Sequence, residues 1–303
     1  METWKIMGTK QMLNMSKQII IFGYGYVSKF LIQQLRDLNW TIYCTSRKIN
    51  LEKPVKDGNV TVINFLDPKL PSIIKSSNIC LSAVPPGAEI IDPVLKIYSD
   101  IISKGSFEWI GYLSSTGVYG DHKGAWVNED TECEPVNEKS KIRFSAEQQW
   151  LNLYLTYKLP VHILRLSGIY GPNRNCLEQI KNGKSFTIIK KWQYFSRVHI
   201  ADICMATITS IKHPTSGEIY NISDDEPAPI NIVQQFGASI LNKSTLKETP
   251  FESSDLSAQA KVFFNDNKKI SSQKIKDNLN IRWQYPNYKS GLLKGCLPYL
   301  NSI

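Results

Sequence analysis

None of the six cysteines belongs to a Cys-x-x-Cys pair: Cys44, Cys80, Cys133, Cys176, Cys204 and Cys296 lie far apart in the chain. That scatter argues against a zinc site and a disulfide framework, so no metal is expected and a reducing cytoplasm fits best. Long clusters of cations are missing as well. The net charge of +9 is spread thinly, and runs such as Lys190-Lys191 and Lys268-Lys269 are only pairs. A nucleic-acid surface needs cations grouped to neutralise phosphates, so no nucleic-acid partner is expected and the charge reads as a mild bias toward anionic ligands. Residues 1–16, with Met1, Met7, Met12 and Met15, have neither the apolar run of a signal peptide nor the length of a membrane span. They read as an N-terminal extension, with no membrane partner expected. No internal repeat is visible. The 303 residues, 42% hydrophobic and 21% charged, suit a soluble globular protein of one large domain or two.

The most informative segment runs from Ile19 to Phe30, where the apolar strand Ile19-Ile20-Ile21-Phe22 meets Gly23-Tyr24-Gly25 and then an amphipathic helix beginning near Tyr26. It reads as a dinucleotide phosphate site. Gly23 permits the tight turn, Gly25 lets the backbone approach a pyrophosphate, and the first N–H groups of the helix, at Tyr26, Val27 and Ser28, face that charge. Ser28 stands where a third glycine is usual.

The β-α-β alternation continues downstream. Strands are predicted over 40–45, 60–63, 78–83, 107–113 and 161–166, and a long helix over 139–157. Apolar runs of this kind suit a parallel sheet covered on both faces. Beyond Tyr170 the elements shorten, with candidate helices near 268–278 and 289–300. An acidic residue at the end of the second strand would bind the ribose 2′-hydroxyl of NAD, but this strand ends in Thr45-Ser46-Arg47-Lys48. Hydroxyls followed by two cations suit a 2′-phosphate, so NADP is the expected cofactor, with NAD the alternative. Ser82, Ala83 and Val84, ending the fourth strand, would let the cofactor pass close to the backbone. Phe65 and Leu66 are candidates to flank adenine.

The fifth strand ends in Ser114-Ser115-Thr116-Gly117-Val118-Tyr119-Gly120. Together with the glycine turn, with Leu166-Ser167-Gly168-Ile169-Tyr170-Gly171-Pro172 and with Arg197-Val198-His199-Ile200-Ala201-Asp202, this stretch resembles the NAD-dependent epimerase/dehydratase family, the extended short-chain dehydrogenase/reductases. The resemblance implies an α/β fold: a Rossmann-type doubly wound parallel sheet over residues 17–170, with a smaller, partly interleaved substrate lobe over 171–303. It also implies that Ser115 orients the substrate, that Ser114 lies beside the cofactor, and that Tyr170 and Arg197 face the substrate. Oligomeric state stays open, with pairing of the helices after the fourth and fifth strands as the family's route to a homodimer.

In that family a Tyr-x-x-x-Lys pair transfers the proton. The four-residue spacing puts both side chains on one helix face, where the cation lowers the tyrosine pKa. Aligned through Glu147, the lysine position holds Arg143 and the tyrosine position holds Lys139, so the chain looks like an atypical branch of the family. Arg143 can hold a ribose hydroxyl or a phosphate but releases no proton near neutral pH. Lys139 reads as a solvated lysine at a helix start. Tyr119, His122 and Tyr170 are the candidate substitute proton carriers, and His199 reads as an anchor of the second lobe. The expectation is an NAD(P)-dependent oxidoreductase or epimerase/dehydratase-like enzyme with a non-standard proton donor, acting on a small carbonyl or sugar-nucleotide-like substrate. The alternative is an NADP-binding sensor without turnover.

Overall fold

A computed structural model describes residues 17–50, 53–257, 261 and 263–300. The extension expected over residues 1–16 lies outside the described residues. In chain order the first elements are β1 (Lys17–Phe22), α1 (Tyr26–Leu35), β2 (Trp40–Ser46), β3 (Val55–Asp57), β4 (Val60–Asn64), α2 (Leu70–Ser76), β5 (Ile79–Ser82), α3 (Leu95–Ile102) and β6 (Trp109–Ser115). β7 (Trp126–Val127), α4 (Glu138–Tyr157), β8 (Val161–Leu166), β9 (Gly168–Tyr170), α5 (Cys176–Lys181) and β10 (Phe186–Ile189) follow. Then come β11 (Arg197–His199), α6 (Ile200–Lys212), β12 (Ile219–Ile222), α7 (Ile230–Ile240), β13 (Lys247–Pro250), β14 (Lys269–Ile270), the helix Gln273–Leu279 and, over the segment where a helix near 289–300 is expected, the consecutive helical pieces Tyr288–Ser290, Gly291–Cys296 and Leu297–Tyr299.

Eight strands form one sheet in the order β12-β8-β6-β5-β1-β2-β4-β3. The pairings of β1 with β2 and β5, of β2 with β4, and of β5 with β6 are all parallel. The short β3 turns back antiparallel on β4, through Gly58 at φ +59°. β3 itself, Val55-Lys56-Asp57, carries no apolar alternation and has no signal in the sequence. Ile19, Ile20, Ile21 and Phe22 in β1 are all fully buried, as a sheet covered on both faces requires. α1 buries Ser28, Leu31, Ile32 and Leu35, a stripe at helical spacing.

The chain divides into two compact units. One comprises the described residues up to Ser114 with Ile142–Leu164 and Cys204–Ile219; the other comprises Ser115–Lys141, Arg165–Ile203 and the described residues from Tyr220 onward. Residues 115–141 group with the later segments and 204–219 with the earlier ones, so the two units interleave on both sides of the boundary expected near residue 170. In the first unit Phe22 stacks on Tyr98 at 5.8 Å and Tyr112 on Trp150 at 5.9 Å. His162 is buried between a hydrogen bond from Thr215 N–H at 2.8 Å and the Ile110 carbonyl at 3.3 Å. In the second unit the short strands pair two by two, β9 with β11, β10 with β13 and β7 with β14. Tyr170, Leu177, Val233, Tyr288 and Leu292 form its core. His199 packs there against Tyr170 and Tyr285, and burial drops its pKa to about 4. It is a neutral packing residue, in keeping with an anchoring role.

Among the described residues no helix is long and apolar enough to cross a membrane, and no group of three or more His, Cys, Asp or Glu could hold a metal ion.

Candidate functional site

β1 delivers the chain into Gly23 at φ +97°, a conformation that disfavours any side chain, and a Cβ there would press on Val84 at 3.2 Å and on the Ala83 backbone at 3.3 Å. Gly25 is different. A Cβ built on it meets nothing within 4 Å, so what its backbone faces is open space. Gly25 is also the N-cap of α1, with no side chain capping the helix and no acidic residue in the first turn. The positive end of this ten-residue helix therefore has no acidic side chain of its own first turn beside it. The pyrophosphate of a dinucleotide fits such a turn. Ser28 and Ser82 are fully buried, and among the described residues their hydroxyls find no hydrogen-bond partner.

Thr45 behaves otherwise than the sequence suggests. Its buried hydroxyl accepts the Gly23 N–H at 3.1 Å and so braces the turn instead of standing free at the strand end. Ser46 remains partly exposed and accepts the Lys48 N–H at 3.2 Å, which curls the backbone so that Arg47 and Lys48 project outward, both exposed. Phe65 packs edge-on against Phe22 and Tyr98, and its carbonyl accepts the Tyr98 hydroxyl at 2.6 Å. That packing fills the role proposed for an adenine contact; Leu66 beside it is 59% exposed.

At the end of β6, Ser114 donates its hydroxyl to Glu147 at 2.7 Å, with both residues buried. Its O–H is thereby committed inside the fold, and the oxygen is left to accept. Arg143 Nη1 donates to the Tyr112 hydroxyl at 3.1 Å and to the Leu113 carbonyl at 3.0 Å, folded onto the strand that carries the serines. Tyr112 is fully buried, and burial pushes its phenol well above the ordinary range.

Within the second unit Ser115 is partly exposed, and its hydroxyl accepts the Gly117 N–H at 3.1 Å, leaving its own O–H to donate. Tyr119 does not fit the catalytic role expected of it. It is fully buried, its hydroxyl donates to Asn221 at 2.9 Å, and burial pushes its pKa up to about 12. His122 is held against the Tyr119 carbonyl at 2.9 Å, and Lys139 lies exposed in the first turn of α4.

Tyr170 lies on β9 rather than at the end of β8, and with Arg197 it lines a pocket of about 480 Å³ inside the second unit. The Tyr170 hydroxyl reaches the Asn287 carbonyl at 3.4 Å. Arg197 Nη1 donates to the carbonyls of Phe195 and Ala228 at 2.7 and 2.9 Å, which fixes the guanidinium. Gln179 and Tyr288 line the same pocket. Sequence reasoning missed Asp224, a buried carboxyl beside Arg197; the only signal for it is an acidic run, Asp224-Asp225-Glu226, in a segment that otherwise follows the family.

A model of the family described as "NAD dependent epimerase/dehydratase family" matches residues 102–223. A solved structure of a functionally unknown conserved protein from Silicibacter pomeroyi DSS is 35% identical, with a TM-score of 0.84, over 91% of this chain and 96% of that one. The dTDP-glucose 4,6-dehydratase of Bacillus anthracis, solved in complex with NAD, shares the fold at a TM-score of 0.76 and 18% identity, over 92% of this chain and 95% of that one. The human dTDP-D-glucose 4,6-dehydratase is 29% identical over 119 residues, 37% of this chain and 34% of its own length. The match thus spans about a third of that curated relative. With a fingerprint turn, an eight-stranded mostly parallel sheet and a full-length relative in agreement, the chain belongs to the NAD-dependent epimerase/dehydratase family.

Proposed function

We propose that this protein binds a nicotinamide dinucleotide, NADP in preference to NAD, and performs redox chemistry on a small carbonyl or sugar-nucleotide-like substrate. The observation that carries the reading is the open space before Gly25 at the uncapped start of α1. Gly23 to Ser28 would hold the pyrophosphate, Ser82, Ala83 and Val84 would let the cofactor pass, and Ser46 with Arg47 would take the 2′-phosphate. When bound, the cofactor supplies the hydride donor or acceptor. Ser115 orients the substrate through its free O–H, and Arg197 receives an anionic group. Arg143, tied to Tyr112 and Leu113, supports the strand end and offers its remaining N–H groups to a ribose or substrate oxygen.

The proton donor is not the family's tyrosine, because Lys139 stands in that position. The scattered free thiols suit a reducing cytoplasm. Ile97 on α3 and Leu155 and Tyr157 on α4 are exposed, which supports pairing of two copies through those helices. A second reading, an NADP-dependent sensor without turnover, is favoured by the exposure of Lys139 and the commitment of Arg143 to the strand.

The test is NADPH oxidation by the purified protein against a panel of carbonyl compounds and sugar nucleotides, repeated with Ser115→Ala. Turnover that falls at least tenfold in the variant supports the enzyme. Cofactor binding with no turnover on any substrate replaces it with the sensor.

A further inference from the structure

Arg197 and Glu178 line one pocket of the second unit, carry opposite charges and form no ion pair with each other. The parallel register of β9 and β11 sets Arg197 beside Gly168 and His199 beside Tyr170, while α5 and α7 supply much of the remaining lining. Arg197 commits Nη1 to the carbonyls of Phe195 and Ala228, and its other N–H groups have no acceptor among the described residues. Asp224 meets Arg197 through the backbone, N–H to carbonyl at 2.7 Å, and forms no ion pair with it. The guanidinium charge is therefore available to whatever enters the pocket.

Glu178 has an ordinary structural task within reach and does not perform it. Asn175 caps α5, its side chain accepting the N–H groups of Leu177 and Glu178 at 2.8 and 3.2 Å. A glutamate three residues past such a cap commonly returns its carboxylate to the cap's own N–H and closes a capping box. Here that bond is not made. Among the described residues the half-buried Glu178 carboxylate has neither a hydrogen-bond donor nor an ion-pair partner. Arg174 also lines the pocket, so its charged lining is two cations and one anion. Asn173 and Gln179 add exposed amide groups.

The pocket volume of about 480 Å³ lies in the range of small-ligand sites. A molecule that fills it displaces water from both charges. An anion alone satisfies Arg197 but leaves the Glu178 carboxylate desolvated and uncompensated, which disfavours binding. A hydroxyl beside Glu178 donates a hydrogen bond without cancelling the charge, whereas an ammonium does both. We propose that this pocket selects a substrate carrying a free amino group as well as an anionic group, with the anion on Arg197 and the ammonium on Glu178. The class that fits is an amino sugar phosphate, whose hydroxylated body lies between the two charges against the amide groups. Glu178 is a specificity-determining residue, and no covalent bond changes at it. The inference rests on the reading that Arg197 receives the substrate's anionic group, and adds the amino-group site to it.

Isothermal titration of the full-length protein with D-glucosamine 6-phosphate, D-glucose 6-phosphate and N-acetyl-D-glucosamine 6-phosphate tests it, at fixed ionic strength and about pH 7, where an amine is mostly protonated. The three ligands differ only in the group on C2: an ammonium, a hydroxyl and a neutral amide. The expected result is that the amino sugar phosphate binds about tenfold more tightly than either of the others. Glu178→Gln should reduce it to the level of glucose 6-phosphate, whose own affinity stays as it was or rises, and Arg197→Gln should weaken all three. Equal affinities in the wild type, or an advantage that survives Glu178→Gln, overturn the amino-group site and leave the anion site standing. Binding of none of the three overturns the reading of Arg197 and this inference with it. The ranking in the wild type needs no variant to fold, and a separate NADPH titration reports on the cofactor reading.

Discussion

The Thr45 hydroxyl accepts the Gly23 N–H at 3.1 Å, joining the end of β2 to the turn that follows β1. One side chain thus fixes the loop proposed to meet the pyrophosphate. Thr45→Val keeps the shape and leaves a buried N–H unpaired, which costs about 1–3 kcal/mol. Urea unfolding should show that loss, and NADPH affinity measured by fluorescence should fall several-fold with it.

Arg47 is exposed, so its removal should leave stability within about 0.5 kcal/mol. Its proposed work is on the 2′-phosphate alone. Arg47→Ala is expected to weaken NADPH about tenfold and to leave NADH unchanged, in line with the loss of a charge-assisted hydrogen bond. Equal effects on the two cofactors would reassign Arg47 to the surface.

Arg143 holds two acceptors at the end of β6, the Tyr112 hydroxyl and the Leu113 carbonyl. Arg143→Ala should destabilise the protein by about 1–3 kcal/mol through the partners left behind. Arg143→Lys, with one compact donor group in place of a fork, should recover only part of that in the same thermal or urea assay.

His162 is buried, and its folded pKa is depressed to about 4 from the ordinary 6.5. Between those values the unfolded chain binds the extra proton, so this residue's contribution is fully present above pH 6.5 and is lost as pH falls toward 4. Asp202 works the other way: burial raises it from 3.8 to about 7, so its contribution is present below pH 3.8 and declines as pH rises through 7. The two are separated by a variant. His162→Gln keeps a donor and an acceptor but cannot titrate, and the stability gap between it and the wild type should shift by about 2 kcal/mol in favour of the variant between pH 7 and pH 5.

The strand, turn and helix from β1 through α1 are legible in the sequence, because a buried parallel strand must be apolar and the glycine positions follow from backbone geometry. The same holds for β2, β4, β5 and β8, whose runs match the predicted strands closely. Side-chain commitments are not legible in the same way. Thr45 to Gly23, Ser114 to Glu147 and Tyr119 to Asn221 join residues 22, 33 and 102 positions apart. Which hydroxyl is consumed inside the fold depends on strand register and helix rotation that no local pattern encodes. Tyr119 illustrates the cost: a tyrosine one turn past the serines looks available for proton transfer until its burial is known. Asp224 shows the converse, an acidic residue that reads as surface charge and lies 2% exposed beside an arginine.

The central claim, that the Gly23 to Ser28 turn holds NADP, is tested most directly by NADPH binding to Gly25→Ala. A Cβ at Gly25 meets nothing within 4 Å among the described residues, so a methyl group has room there and intrudes only on what the turn receives. The account predicts a variant whose stability lies within about 1 kcal/mol of wild type, in the range of tolerated surface changes, and whose NADPH affinity is at least tenfold weaker. A stable variant that binds NADPH as tightly as the wild type would contradict it.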